Sequence, residues 1–136
     1  MIDYSIVIPA YNESAKITGT LTQVVNFMNS FNESYEVVVV DDGSADDTVK
    51  RVEAYQKDHP KVRLIRNPHK GKGPTVWKGI MEAKGEYVYL ADADLSSPME
   101  ELKKMSIWIK DNDYDIAIAS REGHGADRID EPFYRH

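Results

Sequence analysis

Short β-branched runs alternate with helix-spaced apolar stripes along nearly the whole chain, and few folds accept that order. Residues 4–9, 36–40, 62–66, 86–91 and 114–119 are predicted strands. Their nearly continuous apolar character is that of parallel strands covered on both faces. Between them, Ile17, Leu21, Val24, Met28 and Phe31 recur at helical spacing. Val49 and Val52 mark a second helix, with Ser44 and Asp47 spaced as a capping box at its start. Val76, Trp77, Ile80 and Met81 form a third stripe, with Pro74 near its start and Gly85 at its end. Leu102, Met105 and Ile109 form a fourth, with Ser97 as cap and Pro98 at the first helical position. The order β-α-β-α-β-α-β-α-β predicts an α/β sandwich of three layers around a mainly parallel central sheet.

Composition narrows the function classes. A length of 136 residues predicts a single domain over residues 1–136. The absence of cysteine excludes a disulfide scaffold and any thiolate metal site, and fits a reducing compartment. Met1-Ile2-Asp3-Tyr4 enters a strand pattern with no basic segment, so no signal peptide is expected. A net charge of −6 disfavours a broad nucleic-acid-binding face.

Parallel sheets bind ligands beyond the carboxyl ends of their strands. Those ends are Pro9-Ala10-Tyr11-Asn12-Glu13, Asp41-Asp42-Gly43-Ser44, Asn67-Pro68-His69-Lys70-Gly71-Lys72-Gly73, Asp92-Ala93-Asp94 and Ser120-Arg121-Glu122-Gly123. Most place charge directly against an apolar run, and all converge on one edge of the sheet.

Asp92-Ala93-Asp94 sets two like charges two residues apart. One Asp could cap the following helix. A buried strand before the pair and Leu-Ser-Ser-Pro after it favour a hard divalent cation, Mg²⁺ or Mn²⁺, shared with substrate phosphates. Asp41 and Asp42 have two readings: a turn with Gly43 at positive φ, or acceptors for a base or ribose. Lys70-Gly71-Lys72-Gly73 opens a helix, where backbone N–H groups and lysines can hold phosphate; the alternative is a solvated basic loop. It is not a Walker A loop, and no G-x-G-x-x-G follows the first strand. Tyr11 is either a platform for a base or a packing residue. Arg121 is either a bidentate phosphate contact or a salt-bridge partner. His59, His69, His124 and His136 share no metal spacing and are assigned no role.

Ile6-Val7-Ile8-Pro9-Ala10-Tyr11-Asn12-Glu13, Val39-Val40-Asp41-Asp42-Gly43-Ser44, Lys70-Gly71-Lys72-Gly73 and Asp92-Ala93-Asp94 together resemble family 2 glycosyltransferases, inverting enzymes of the GT-A fold. The match runs in order from Tyr4 to about Arg121. Asp94-Leu95-Ser96-Ser97-Pro98 with Ser120-Arg121 is most similar to the polyprenyl- and dolichyl-phosphate hexosyltransferase branch, and within it to the glucosyltransferases. The resemblance implies that Pro9, Ala10, Tyr11 and Glu13 line the nucleotide pocket. It implies that Asp41 or Asp42 contacts the base or ribose and that Lys72 sits near the phosphates. Asp92 then lies toward the sugar and ribose, Asp94 is the main metal ligand, and Arg121 holds the acceptor phosphate. Mannosyltransferase relatives often carry Gln where Ser96 stands, which lowers a mannose assignment.

The expected partners are a nucleoside-diphosphate sugar, UDP-glucose by family analogy, and a polyprenyl or dolichyl phosphate. Peripheral contact at the cytoplasmic face of a membrane follows from that acceptor. A phosphate acceptor is already ionised at neutral pH, so no strong general base is needed. A glycan or lipid hydroxyl acceptor is the alternative, and it would require a carboxylate base. A nucleotide-sugar-binding fragment without turnover is a third. A nucleotidyltransferase would carry a glycine-rich basic loop after strand one, and a receiver domain would place its acidic pair there. Neither pattern is present. Because the motifs stop just after Arg121, the chain is expected to be the nucleotide-binding portion of a larger, C-terminally truncated enzyme.

Overall fold

In a computed structural model, which describes residues 1–119, four of the five expected strands form. They are β1 (Ile2–Ala10), β2 (Tyr35–Asp41), β3 (Val62–Arg66) and β4 (Gly85–Leu90). All pair in parallel, in the order β3-β2-β1-β4. The intervening helices are α1 (Ile17–Phe31), α2 (Thr48–Gln56) and α3 (Lys72–Glu82), and α4 spans Glu101–Asn112. One compact unit runs from Met1 to Glu100 and a second begins at Glu101.

Alternation along the strands decides the layers. Ile6, Ile8, Val37 and Val39 point to one face. There they share a fully buried core with Ile17, Leu21, Val24 and Met28 of α1 and Val52 of α2. Each such aliphatic contributes roughly 1.5–3 kcal/mol by leaving water. Tyr4, on the same face, meets the Phe31 ring of α1 at 5.7 Å. Val7, Val38 and Val40 point to the opposite face and pack with Ile65 and Ala83. There α3 lies against β1 and β2 through Thr75 and Gly79, its two buried residues. The expected stripe on α3 is therefore displaced: Trp77 and Met81 stay 64% and 63% exposed. The helix approaches Val7 and Val40 where Gly79 has no side chain, so its contact face is set by small residues.

At the amino ends of the strands, buried Glu36 ties three strands together. Its carboxylate accepts from Ser5 Oγ at 2.6 Å, Arg63 Nε at 2.8 Å and the Lys84 N–H at 2.8 Å. Ser5 Oγ in turn accepts the Gly85 N–H at 2.8 Å, which seats the start of β4.

Three further expectations fail. Residues 114–119 do not join the sheet, and Ile116 and Ile118 are 76% and 84% exposed. A β-branched run gains its stability from a ladder and a covering layer, and among the described residues this run has no ladder. Tyr114 instead meets Trp108 edge-on at 6.1 Å. Ser44 and Asp47 do not form a capping box, because Ser44 Oγ is taken by the Asn12 N–H and Asp47 makes no side-chain cap. Helix α4 starts at Glu101 and not at Pro98, with 99–100 in a turn.

Candidate functional site

The sheet changes direction of winding between β1 and β4, and a crevice opens at such a switch point beyond the carboxyl ends. Ladder bonds continue just past the strands: Asp42 N–H to Ala10 O at 2.9 Å, Asn67 N–H to Asp41 O at 2.8 Å and Ala91 N–H to Val7 O at 3.0 Å. They hold the 10–13, 41–44, 67–72 and 91–94 segments side by side. Four of the five expected clusters are thus brought together. Arg121, in the fifth, lies outside the described residues.

The loop after β1 is clasped to the loop after β2. Asn12 N–H donates to Ser44 Oγ at 2.9 Å, and Ala45 N–H donates back to Asn12 Oδ1 at 2.8 Å. Glu13 N–H donates to Thr48 Oγ1 at 2.8 Å, and Ser14 N–H to Asp46 Oδ2 at 3.1 Å. Asn12 holds φ 52, a left-handed value that asparagine tolerates. Thr48, whose hydroxyl and N–H bond the Asp46 carboxylate, and Ser14 hold that carboxyl down at about 2 against the upward push of desolvation. Pro9 is half-buried, Ala10 is buried and Glu13 is half-buried behind this loop.

Tyr11 is 46% exposed and does not act as a packing residue at the helix entry. Its ring stacks on His69 at 4.5 Å between centroids and 24° between planes. The spacing of His69 in the sequence assigns it no role, and the structure makes it a neighbour of both Tyr11 and Asp42. Its Nδ1 lies 2.9 Å from Asp42 Oδ2. Gly43 makes this approach possible: at φ 74 it tolerates the turn, and a Cβ there would meet the His69 backbone nitrogen at 2.8 Å.

The two neighbouring aspartates divide their work. Asp42 Oδ1 accepts the Lys70 N–H at 2.8 Å and Oδ2 accepts the Gly71 N–H at 3.1 Å. Burial pushes the Asp42 carboxyl up, but those two amides, the Thr75 hydroxyl and His69 outweigh it and hold it below the usual range. Asp42 thus occupies the positive entry of α3 where a phosphate was expected. The amides of Lys70 and Gly71 are engaged by the protein itself. Asp41 Oδ2 accepts the Gly43 and Ser44 N–H groups at 3.1 and 3.0 Å. Its Oδ1 is buried with no hydrogen-bond partner among the described residues.

Lys72, the first residue of α3, reaches across the switch point to Asp92, with Nζ 2.9 Å from Oδ1. The acidic turn is built around that contact. Ser96 Oγ donates to Asp92 Oδ2 at 3.0 Å and Ser96 N–H donates to Asp94 Oδ1 at 3.0 Å. Asp92 is half-buried and Asp94 is exposed. Both donate hard carboxylate oxygen, the chemistry suited to Mg²⁺ or Mn²⁺. Among the described residues no group of three or more His, Asp or Glu gathers into a cage. Two carboxylates fit an ion whose other positions come from water and substrate phosphates, as Mg²⁺ sites commonly do. The side chain that the sequence pattern did not reveal here is His69, defined by its contacts with Tyr11 and Asp42, both distant in the chain.

The family described as Glycosyl transferase family 2 matches residues 5–135. A dolichol-phosphate mannosyltransferase of Pyrococcus furiosus is 37% identical over 96% of this chain, a match covering 36% of that protein. A dolichyl-phosphate beta-glucosyltransferase of Trichomonas vaginalis is 36% identical over 85% of this chain and 37% of its own. The chain therefore spans little more than a third of those relatives. Among solved structures, a mannosyltransferase of Pyrobaculum calidifontis in complex with GDP-Man and Mn²⁺ superposes with a TM-score of 0.66, at 26% identity over 81% of this chain and 34% of that one. S. aureus TarS residues 1–349 in complex with UDP-GlcNAc gives 0.65, at 29% identity over 81% and 32%. The three-layer parallel sandwich is that of the GT-A glycosyltransferases.

Proposed function

Since this chain belongs to glycosyl transferase family 2, we propose that it carries the nucleotide-sugar side of a hexosyltransferase acting on a polyprenyl or dolichyl phosphate. The observation that carries this reading is the Lys72–Asp92 contact at the switch point, which joins a cation for the diphosphate to the acidic turn. Relatives named for dolichyl-phosphate glucosyl and mannosyl transfer support the acceptor class. We assign glucose from UDP-glucose as the donor on the glucosyltransferase-like Asp94-Leu95-Ser96-Ser97-Pro98 segment.

In this assignment Tyr11 offers its ring to the base, and Asp41 Oδ1 accepts a hydrogen bond from the base or ribose. Asp42 is the residue that holds the basic loop, not the one that touches the nucleotide. Pro9, Ala10 and Glu13 form the wall of the pocket. Lys72 exchanges Asp92 for the diphosphate. Asp94 and Asp92 would hold Mg²⁺ or Mn²⁺, which would supply positive charge against the charge growing on the leaving diphosphate. Arg121 holds the acceptor phosphate, whose oxygen attacks the anomeric carbon opposite the leaving group. The new C–O bond forms as the bond to the diphosphate breaks, so the configuration inverts. A lipid-linked acceptor places this reaction at a membrane surface, which we assign to the cytoplasmic face. Among the described residues no helix is long and apolar enough to cross a membrane.

Calorimetric titration with UDP tests the site, with and without Mn²⁺, on the wild type and on Asp94→Ala. The expected result is binding that Mn²⁺ strengthens and that Asp94→Ala weakens. Equal, metal-independent affinity in both proteins removes the site. Transfer to a sugar hydroxyl with none to a polyprenyl phosphate removes the acceptor assignment.

A further inference from the structure

We propose that Thr20 and Ser96 are positioning residues for the acidic turn: a buried hydroxyl from α1 pins the Ala93 carbonyl, and Ser96 aims both flanking carboxylates before any ion arrives. The inference rests on the metal–nucleotide reading of that turn.

Thr20 lies in the buried stripe of α1, between Ile17 and Leu21, and is 4% exposed. Its own N–H already bonds Lys16 O within the helix, so the hydroxyl is not needed to build α1. That hydroxyl donates to Ala93 O, the carbonyl between the two aspartates and 73 residues away in the chain. Ala93 is itself buried. On the far side of the turn, Ser96 grips Asp92 with its hydroxyl and Asp94 with its N–H.

Such a grip has work to oppose. Leu95 sits at φ 49, a left-handed value unfavourable for a leucine, and its N–H donates to Asp92 O at 2.9 Å. Two like charges on a tight turn also repel. A turn left to itself would relax by splaying the carboxylates apart. Anchors on both sides make one arrangement persist, and a preformed pair of ligands spares a cation the cost of ordering them. Helix α1 starts directly behind the clasped 11–14 loop, with Ile17 N–H on Glu13 O at 2.9 Å. One rigid element thus carries the base platform at one end and the brace of the acidic turn on its buried face.

The test uses Mn²⁺ binding in the presence of UDP, read by electron paramagnetic resonance, together with amide hydrogen exchange at Leu95 and Ser96. Thr20→Val keeps the shape and removes the donor; Thr20→Ser keeps the donor. Thr20→Val is expected to weaken Mn²⁺ about tenfold, to leave UDP affinity without metal unchanged, and to speed exchange at both amides. Thr20→Ser is expected to restore all three values. Ser96→Ala, on an exposed side chain, is expected to weaken Mn²⁺ with no change in melting temperature, which keeps the test available if Thr20→Val does not fold. Wild-type Mn²⁺ affinity and exchange in Thr20→Val, or wild-type affinity in Ser96→Ala, overturns the corresponding half of the inference. A wild-type protein that takes up no Mn²⁺ with UDP is a different result, because it overturns the metal–nucleotide site itself.

Discussion

Lys72 Nζ stands 2.9 Å from Asp92 Oδ1, so the cation expected to meet the diphosphate is held by one of the carboxylates expected to meet the metal. Both side chains reach solvent, Lys72 at 71% exposure and half-buried Asp92 at 44%. An ion pair this wet adds about 1 kcal/mol at most to the fold. Its place in the site matters more than its strength, because both partners are ready to exchange.

Lys72→Met should therefore leave the melting temperature within error of wild type while weakening UDP about tenfold, the loss of one charge-assisted hydrogen bond. Calorimetry with UDP and Mn²⁺, beside a thermal melt, reads both. A large drop in melting temperature would mark Lys72 as structural.

Asp41→Asn and Asp42→Asn should separate. Asp41 Oδ1 is buried without a partner among the described residues, so neutralising Asp41 costs the fold little and should cost UDP affinity about tenfold. Asp42→Asn keeps one acceptor oxygen but sets its NH2 against the amide that the other oxygen served, Lys70 or Gly71, and should destabilise by about 1–3 kcal/mol. Urea unfolding and UDP titration of the two variants distinguish them. Equal behaviour would refute the division of labour.

Glu36→Ala should cost about 3 kcal/mol, because it takes the shared acceptor from Arg63 Nε, the Ser5 hydroxyl and the Lys84 N–H and vacates a buried position. The Glu36 carboxyl lies below its usual range, since the Arg63, Ser5 and Lys84 donors outweigh its burial. Glu36→Ala should not alter UDP affinity at saturating metal in the folded protein, because the network sits at the amino ends of the strands.

The clasp between the 11–14 and 44–48 loops should be acid-sensitive. Asp46 is held at about 2 against an ordinary 3.8. The folded state therefore binds this proton less readily than the unfolded chain, and the contribution is complete above about pH 4. It is lost as pH falls from there toward 2. Amide shifts of Ser14 and Thr48 should titrate in that window and become flat in Asp46→Asn. An unchanged titration in that variant would assign the transition elsewhere.

Much of this molecule is legible without coordinates. The first four apolar runs are strands in the predicted order, and the stripe of Ile17, Leu21, Val24 and Met28 is the buried face of α1. The chain's charged strand ends converge because parallel strands joined by helical crossovers must present their carboxyl ends on one edge. Residues 114–119 mislead because a β-branched pattern reports preference and not partners. Trp77 and Met81 mislead because the period of α3 is right while its contact face is set by Thr75 and Gly79.

The sequence by itself determined that Asp41, Asp42, Lys72, Asp92 and Asp94 lie in one neighbourhood, since chain order and strand direction are enough for that. Only the tertiary structure decided what each one does there. Asp42 meets amides 28 and 29 residues away, and Thr20 meets a carbonyl 73 residues away. Periodicity places a residue on an edge or a face, within several ångströms. A hydrogen bond is won or lost within a few tenths of an ångström, and that distance is fixed by the packing of the whole sheet and its helices.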